Sequence, residues 1–169
     1  MIRSLILSLF FMSLVNSLMA KELPYDPKAN AKQQLTQAQL AAKQQGKLLL
    51  IAFGANWCPD CVALDKAVSR GQLAELIKTH FVTVKVDIGR WDNNMDIVQE
   101  YGNPVKKGIP SIVVTSADNK VLFATKGGQL ATARRMGAEN FYNFFNSLSK
   151  LKTQATLGQD TQPEAAQEL

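Results

Sequence analysis

The chain has little of what metal centres, nucleic-acid surfaces and membrane spans require. Only two of its 169 residues are cysteine and one is histidine. A structural zinc site takes four ligands, usually two pairs of Cys or His. Cys58, Cys61 and His80 cannot supply that set, so no metal and no other cofactor is expected; His80 reads as a surface or cap residue at the end of a helix. The formal net charge is +5, and aromatic residues make up 8% of the chain. No dense run of Lys and Arg interleaves with them, so the excess reads as a solvated basic surface and no nucleic-acid partner is expected. No apolar run reaches the roughly 20 residues of a membrane helix. There is no internal repeat.

The first 20 residues have the parts of a secretory signal: Arg3, an apolar stretch over 5–18, and Ala20 before Lys21. Ser8, Ser13, Asn16 and Ser17 interrupt that stretch, which makes an uncleaved anchor the second choice. Leu18, third before the cut, is larger than the ideal Ala. No cysteine lies nearby, so lipid attachment is not supported. Cleavage leaves 149 residues with 18 basic and 14 acidic side chains, a net +4, enough for one domain and too few for two. The expected division is a signal over 1–20, one domain over 21–152, and a Thr/Gln/Glu/Ala-rich tail over 153–169. That tail lacks an apolar stripe and is expected to be disordered. The product would be exported, periplasmic if bacterial and otherwise secreted, with no stable membrane insertion after cleavage.

Against this background the two cysteines stand out. Cys58, Pro59, Asp60 and Cys61 follow Trp57 and an apolar run over 48–53 that reads as a strand buried on both faces. Pro59 fits the first turn of a helix, where its missing N–H has no partner to lose. Two thiols three positions apart at a helix start can close a small disulfide, the first at the exposed end and the second one turn deeper. As a staple, a four-residue loop is worth about 2 kcal/mol, against about 4.7 for a hundred-residue loop. Reversible redox chemistry is therefore the leading reading, with an inert local disulfide and half a metal site as the alternatives.

Elsewhere Asp26 and Pro27 look like a cap and first-turn proline, opening a helix to about residue 45. Its Ala31, Leu35, Ala38 and Ala42 share one face, and Gly46 ends it. Val62, Leu64, Ala67 and Val68 continue the cysteine-bearing helix. Ser69 and Gln72 have the form of a capping box for a second helix over 70–79. Residues 81–88 alternate as a strand buried mainly on one side, and a loop over 89–93 leads to a short helix closed by Gly102. Residues 112–115 and 121–125 flank turn-forming residues and predict an antiparallel hairpin. Phe141, Phe144, Phe145, Leu148 and Leu151 form the stripe of a last helix. Arg134 and Arg135, in the Gly-rich stretch 126–137, read as a mobile solvated loop, with binding of an acidic partner as the alternative.

The strand–Trp-Cys-x-x-Cys–helix order, followed by Gly108, Ile109 and Pro110 before the hairpin and closing helix, resembles the thioredoxin superfamily over roughly residues 33–152. The long helical lead-in resembles its exported branch. The resemblance implies an α/β fold: a mixed sheet of about four strands, two parallel plus a C-terminal antiparallel hairpin, sandwiched by helices. It implies Cys58 as attacking thiol, Cys61 as resolving thiol, and Pro110 in a cis peptide beside them. Ile109, turned outward, would offer backbone to an extended substrate segment. Two positions depart from the family pattern. A buried Asp six residues before the first cysteine is replaced by Ala52, and the Lys paired with it aligns with Thr83.

What stabilises charge on Cys58 sets the direction of reaction. A helix N-terminus favours the thiolate, and Asp60 opposes it. Arg90, Lys106 and Lys107 are expected near the carboxyl ends of the strands, where they would partly offset Asp60, while Trp57 and Trp91 would give apolar contact to an unfolded or extended partner. Solvated lysines and packed indoles are the plainer readings. The expected function is a thiol–disulfide oxidoreductase acting on protein disulfides or thiols, with reduction or exchange favoured and electrons drawn from a membrane thiol-transfer protein. The alternatives are a disulfide oxidase or isomerase, and a non-catalytic binding module.

Overall fold

Leu48–Gly54 is buried at every position, as a strand with both faces covered must be. This strand, β1, pairs in parallel with β2, Phe81–Asp87, and antiparallel with β3, Ser111–Thr115. A turn at Ser116 and Asn119 returns β3 into β4, Val121–Ala124. The resulting four-stranded order is β2-β1-β3-β4, the mixed sheet expected from the sequence. A computed structural model describes residues 23–152; the expected signal segment and polar tail lie outside the described residues.

Helices cover both faces of the sheet. On one side α1, Ala31–Gln45, and the short α4, Met95–Glu100, seal Leu49, Ile51, Phe53, Val84 and Val86 into a core. On the other, α2, Pro59–Val68, α3, Gly71–His80, and α5, Ala138–Ser149, bury Leu50, Leu64, Leu73, Phe81, Phe141 and Phe145. Phe144 is half-buried and meets Phe123 and Phe145 edge-on, at 6.0 and 5.3 Å between ring centroids. Among the described residues no helix is long and apolar enough to cross a membrane.

Local signals failed at three places. Helix α1 starts at Ala31 because Asn30 caps it, accepting the Gln33 N–H at 3.0 Å. Asp26 instead closes a turn on itself, accepting the Lys28 N–H at 2.9 Å. The Ser69–Gln72 capping box does not form, because the Ser69 hydroxyl donates to the Asp65 carbonyl and α3 begins after Arg70 with no side-chain cap. β2 is not one-sided: Phe81 and Asp87 at its two ends are buried on the face that the alternation left to solvent. Gly46, by contrast, ends α1 as expected, in the left-handed conformation that glycine adopts without strain.

The lead-in before α1 is part of the core. Tyr25 is 1% exposed, and its ring lies over Gly54, the last residue of β1. A Cβ on Gly54 would sit 2.5 Å from the Tyr25 ring carbon Cζ and from its hydroxyl. The Asn56 side chain fixes the Tyr25 backbone from both sides, accepting its N–H at 3.0 Å and donating to its carbonyl. Gly54→Ala should therefore overpack the junction between strand and active loop and cost about 1–3 kcal/mol. A lower urea midpoint at an unchanged slope would show it; an unchanged midpoint would mean that Tyr25 moves aside without penalty.

Candidate active site

The loop from Ala55 to α2 leaves β1 at its carboxyl end and places Cys58 at the N-cap of the helix. There the Cys58 Sγ accepts the Cys61 N–H at 3.2 Å. Pro59 occupies the first helical position, is exposed, and has no N–H to satisfy. The Cys58 thiol also donates to the Ile109 carbonyl at 3.6 Å. Both cysteines are free thiols.

Access differs from the expectation. Cys58 is 5% exposed and Cys61 is fully buried, so the order of depth holds, but the first sulfur is recessed rather than presented. Ile109 is also turned inward at 6% exposure, because its side chain belongs to the buried apolar cluster between the sheet and α1, while its backbone carbonyl meets the Cys58 sulfur. The Ile109–Pro110 peptide bond is cis, and the Ser111 hydroxyl ties down this bend through the Gly108 and Pro104 carbonyls, at 2.8 and 3.0 Å.

Beside the recessed thiol rises an aromatic lip. Trp57 and Trp91 are each 47% exposed, with ring centroids 5.5 Å apart. The Trp57 indole N–H donates to the Gly89 carbonyl at 2.7 Å, which fixes the ring as an edge of the site. Arg90, expected to help offset Asp60, has its guanidinium 5.7 Å over the Trp57 ring, a cation–π arrangement.

Asp60 is buried, at 7% exposure, and among the described residues its ionic partner is Arg134. The carboxylate accepts the Arg134 backbone N–H at 2.9 Å and lies 3.6 Å from its Nε. Lys106 and Lys107 are exposed in the 3₁₀ turn Pro104–Lys107, while Asp60 is paired from the stretch 126–137, which is not the mobile loop expected from the sequence. That stretch is anchored by Leu130 and Ala133, at 0% and 1% exposure. His80, the last residue of α3, stands apart from the site with its ring 6.5 Å from that of Phe81.

Strand register corrects another assignment. The residue paired with Ala52 across β1 and β2 is Lys85, not Thr83, and Lys85 forms a half-buried ion pair with Asp65, one helical turn beyond Cys61. A carboxylate and an ammonium are thus paired between α2 and β2, with the acid supplied by α2 instead of β1. Burial raises the Cys61 thiol above its ordinary value of 9.0, and its hydrogen bond with Cys58 adds to the effect. Burial likewise raises the Tyr25 phenol well above 10.0, reinforced by the charges of Cys61, Asp65, Cys58 and Asp87. Tyr25, Asn56, Asp65 and Lys85 are neighbours that no local sequence pattern marked; Arg134, which the sequence marked as able to bind an acidic partner, meets an acid of its own chain.

A family model described as thioredoxin-like matches residues 30–117. A comparison with curated protein sequences finds no match. Among solved structures, a disulphide isomerase from Xylella fastidiosa Temecula1 is 45% identical; the match covers 77% of this chain and 99% of that one, with a TM-score of 0.75. A thioredoxin from Thermus thermophilus (14% identity, 72% and 88% covered, TM-score 0.53) and the oxidised C-terminal domain of Neisseria meningitidis DsbD (17%, 70% and 96%, TM-score 0.52) share the fold.

The raised thiol and phenol have a defined pH signature. Both groups hold their protons more tightly folded than unfolded, so the stability they contribute is complete below about pH 9 and is lost as pH rises beyond the unfolded values. Each adds up to about 1.4 kcal/mol of loss per pH unit. Urea midpoints of the reduced protein between pH 7 and 11 should fall more steeply for the parent than for Tyr25→Phe or Cys61→Ala. Identical pH slopes in all three would sink this assignment.

Proposed function

The chain belongs to the thioredoxin-like family and is a thiol–disulfide oxidoreductase, and we propose that it exchanges disulfides with other proteins through Cys58, with Cys61 as the resolving thiol. The observation that carries this assignment of roles is the Cys58 sulfur in the N-cap position, 3.2 Å from the Cys61 N–H. A thiolate there meets the positive end of the α2 dipole and a backbone donor already aimed at it.

The Cys58 thiolate attacks one sulfur of a substrate disulfide; that S–S bond breaks, the departing sulfur takes up a proton, and a mixed disulfide joins Cys58 to the substrate. Cys61 then releases its proton and attacks the Cys58 Sγ. The mixed disulfide breaks, the second substrate thiol leaves, and two electrons have passed from the pair to the substrate. Because Cys58 is recessed, the partner must bring an extended or unfolded segment down to it. The exposed indoles of Trp57 and Trp91 offer such a segment apolar contact, and the Ile109–Pro110 backbone lies alongside.

Reduction or exchange fits better than oxidation. A strong oxidant owes its potential to a stabilised reduced pair, and the acid beside Cys58 works against a thiolate. Disulfide exchange also accords with the isomerase of 45% identity. Residues 1–20 support export, to the periplasm if the source is bacterial. Disulfides persist in such a compartment, so the reduced pair needs electrons from outside, and a membrane thiol-transfer protein is the proposed donor.

In an insulin-reduction assay the parent should accelerate precipitation over dithiothreitol alone. Cys58→Ser should lose about a hundredfold or more, and Cys61→Ser should accumulate a covalent adduct that reductant releases. A reduction potential nearer about −270 mV than about −120 mV would place the pair at the reducing end. A parent without activity and a Cys61→Ser variant without adducts would leave only a binding module.

A further inference from the structure

Between Gly128 and Met136 the chain folds as successive tight turns: the N–H groups of Ala131, Ala133, Arg135 and Met136 each bond the carbonyl three residues back. Arg134 breaks that run. Its N–H leaves the turn and reaches the Asp60 carboxylate at 2.9 Å, while its Nε lies 3.6 Å from the other carboxylate oxygen. The acid is side-chain buried to 10% exposure and the arginine is 61% exposed, so a charge inside the dithiol loop is answered by one at the rim. The two residues are 74 positions apart in the chain, and Ala133, at 1% exposure, holds the turn in place.

We infer that Arg134 is a positioning residue for the thiol pair: it holds the Asp60 carboxylate and neutralises it, which sets how readily Cys58 ionises and how reducing the pair is. The inference rests on the exchange reading and names a residue that regulates it. An uncompensated carboxylate next to Cys58 would repel the thiolate and disfavour the reduced, ionised form. With its guanidinium in place Arg134 cancels part of that repulsion. Its backbone N–H stays with Asp60 whatever side chain stands at 134, so substitutions there change the charge and leave the carboxylate tethered.

The test compares Arg134→Ala, Arg134→Gln, Arg134→Lys, Asp60→Asn and the double variant Asp60→Asn/Arg134→Ala. Two readouts apply: the iodoacetamide alkylation rate of Cys58 at pH 7, and the equilibrium constant with glutathione. Because the guanidinium is largely solvated, the expected effect is modest. Arg134→Ala and Arg134→Gln should slow alkylation about twofold to fivefold and make the pair more reducing by the same factor, about 10–20 mV for two electrons. Arg134→Lys should recover most of the loss, and Asp60→Asn should shift both readouts the opposite way. In the Asp60→Asn background the exposed guanidinium loses the carboxylate that anchors it at the rim, so removing Arg134 should change both readouts less than in the parent, the mark of a residue that acts through another. The inference is overturned if Arg134→Gln folds with both readouts at parental values, or if the Arg134 effect persists undiminished without Asp60. Insulin reduction by the parent is scored separately: its absence would remove the exchange function, while these alkylation comparisons would stand or fall by themselves.

Discussion

A helix that starts at Pro59 needs an acceptor for the N–H groups of its first turn, and the acceptor used here is a sulfur atom. Most caps are oxygen: Ser, Thr, Asp and Asn lead because their side chains reach the N–H two or three positions on. Cys58 occupies that place and accepts from Cys61, so the atom that closes the helix is also the atom that can react. The rest of the site follows from this substitution. The strand before it must deliver Cys58 to the sheet's carboxyl end, proline must follow because the position tolerates a missing donor, and the second thiol must come where the first N–H bond lands.

The cap also explains the depth of the pair. An N–H bonded to sulfur, a thiol bonded to the Ile109 carbonyl, and a ring plugging the end of β1 at Gly54 together pull the loop inward. Cys61 then lies in full burial, where ionisation is opposed by lost hydration. Such a thiol is a poor nucleophile until something beside it takes the proton. Two polar features of this half of the molecule are therefore notable: the half-buried Asp65–Lys85 pair and the buried Tyr25 phenol, which feels the charges of Cys61 and Asp65.

Local chemistry was readable from the chain; distant chemistry was not. The buried strand 48–53, Pro59 at the helix start and Gly46 at the helix end each depend on residues within a few positions, and the structure has them all. Competition between neighbouring signals was harder. Asp26 and Asn30 are both good caps, and the helix took the second while the first closed its own turn. Ser69 had a carbonyl within reach and bonded it in preference to capping α3. The contacts that complete the site are long-range. Nothing near Arg134 announces Asp60, nothing near Tyr25 announces Gly54, and the Ala52–Lys85 pairing requires the register of two strands separated by two helices. Charge was the least legible property, since placing basic residues at the carboxyl ends of the strands singled out Arg90, Lys106 and Lys107, while the residue that contacts Asp60 is Arg134.

Recessed sulfur and exposed indoles impose a shape on whatever reacts here. On the proposed exchange function, a folded partner with its disulfide flush to a flat surface could touch the 47% exposed Trp57 and Trp91 without bringing its sulfur to Cys58, which is only 5% exposed. A chain that is locally extended can do both: its apolar side chains rest on the indoles and its backbone runs beside Ile109 and Pro110. The Trp57 ring is already held by the Gly89 carbonyl and lies under Arg90, so in the proposed role little of its ordering would remain to be done on binding. Under the same proposal, selection would fall on conformation before sequence, favouring a partner whose disulfide lies in an unfolded stretch.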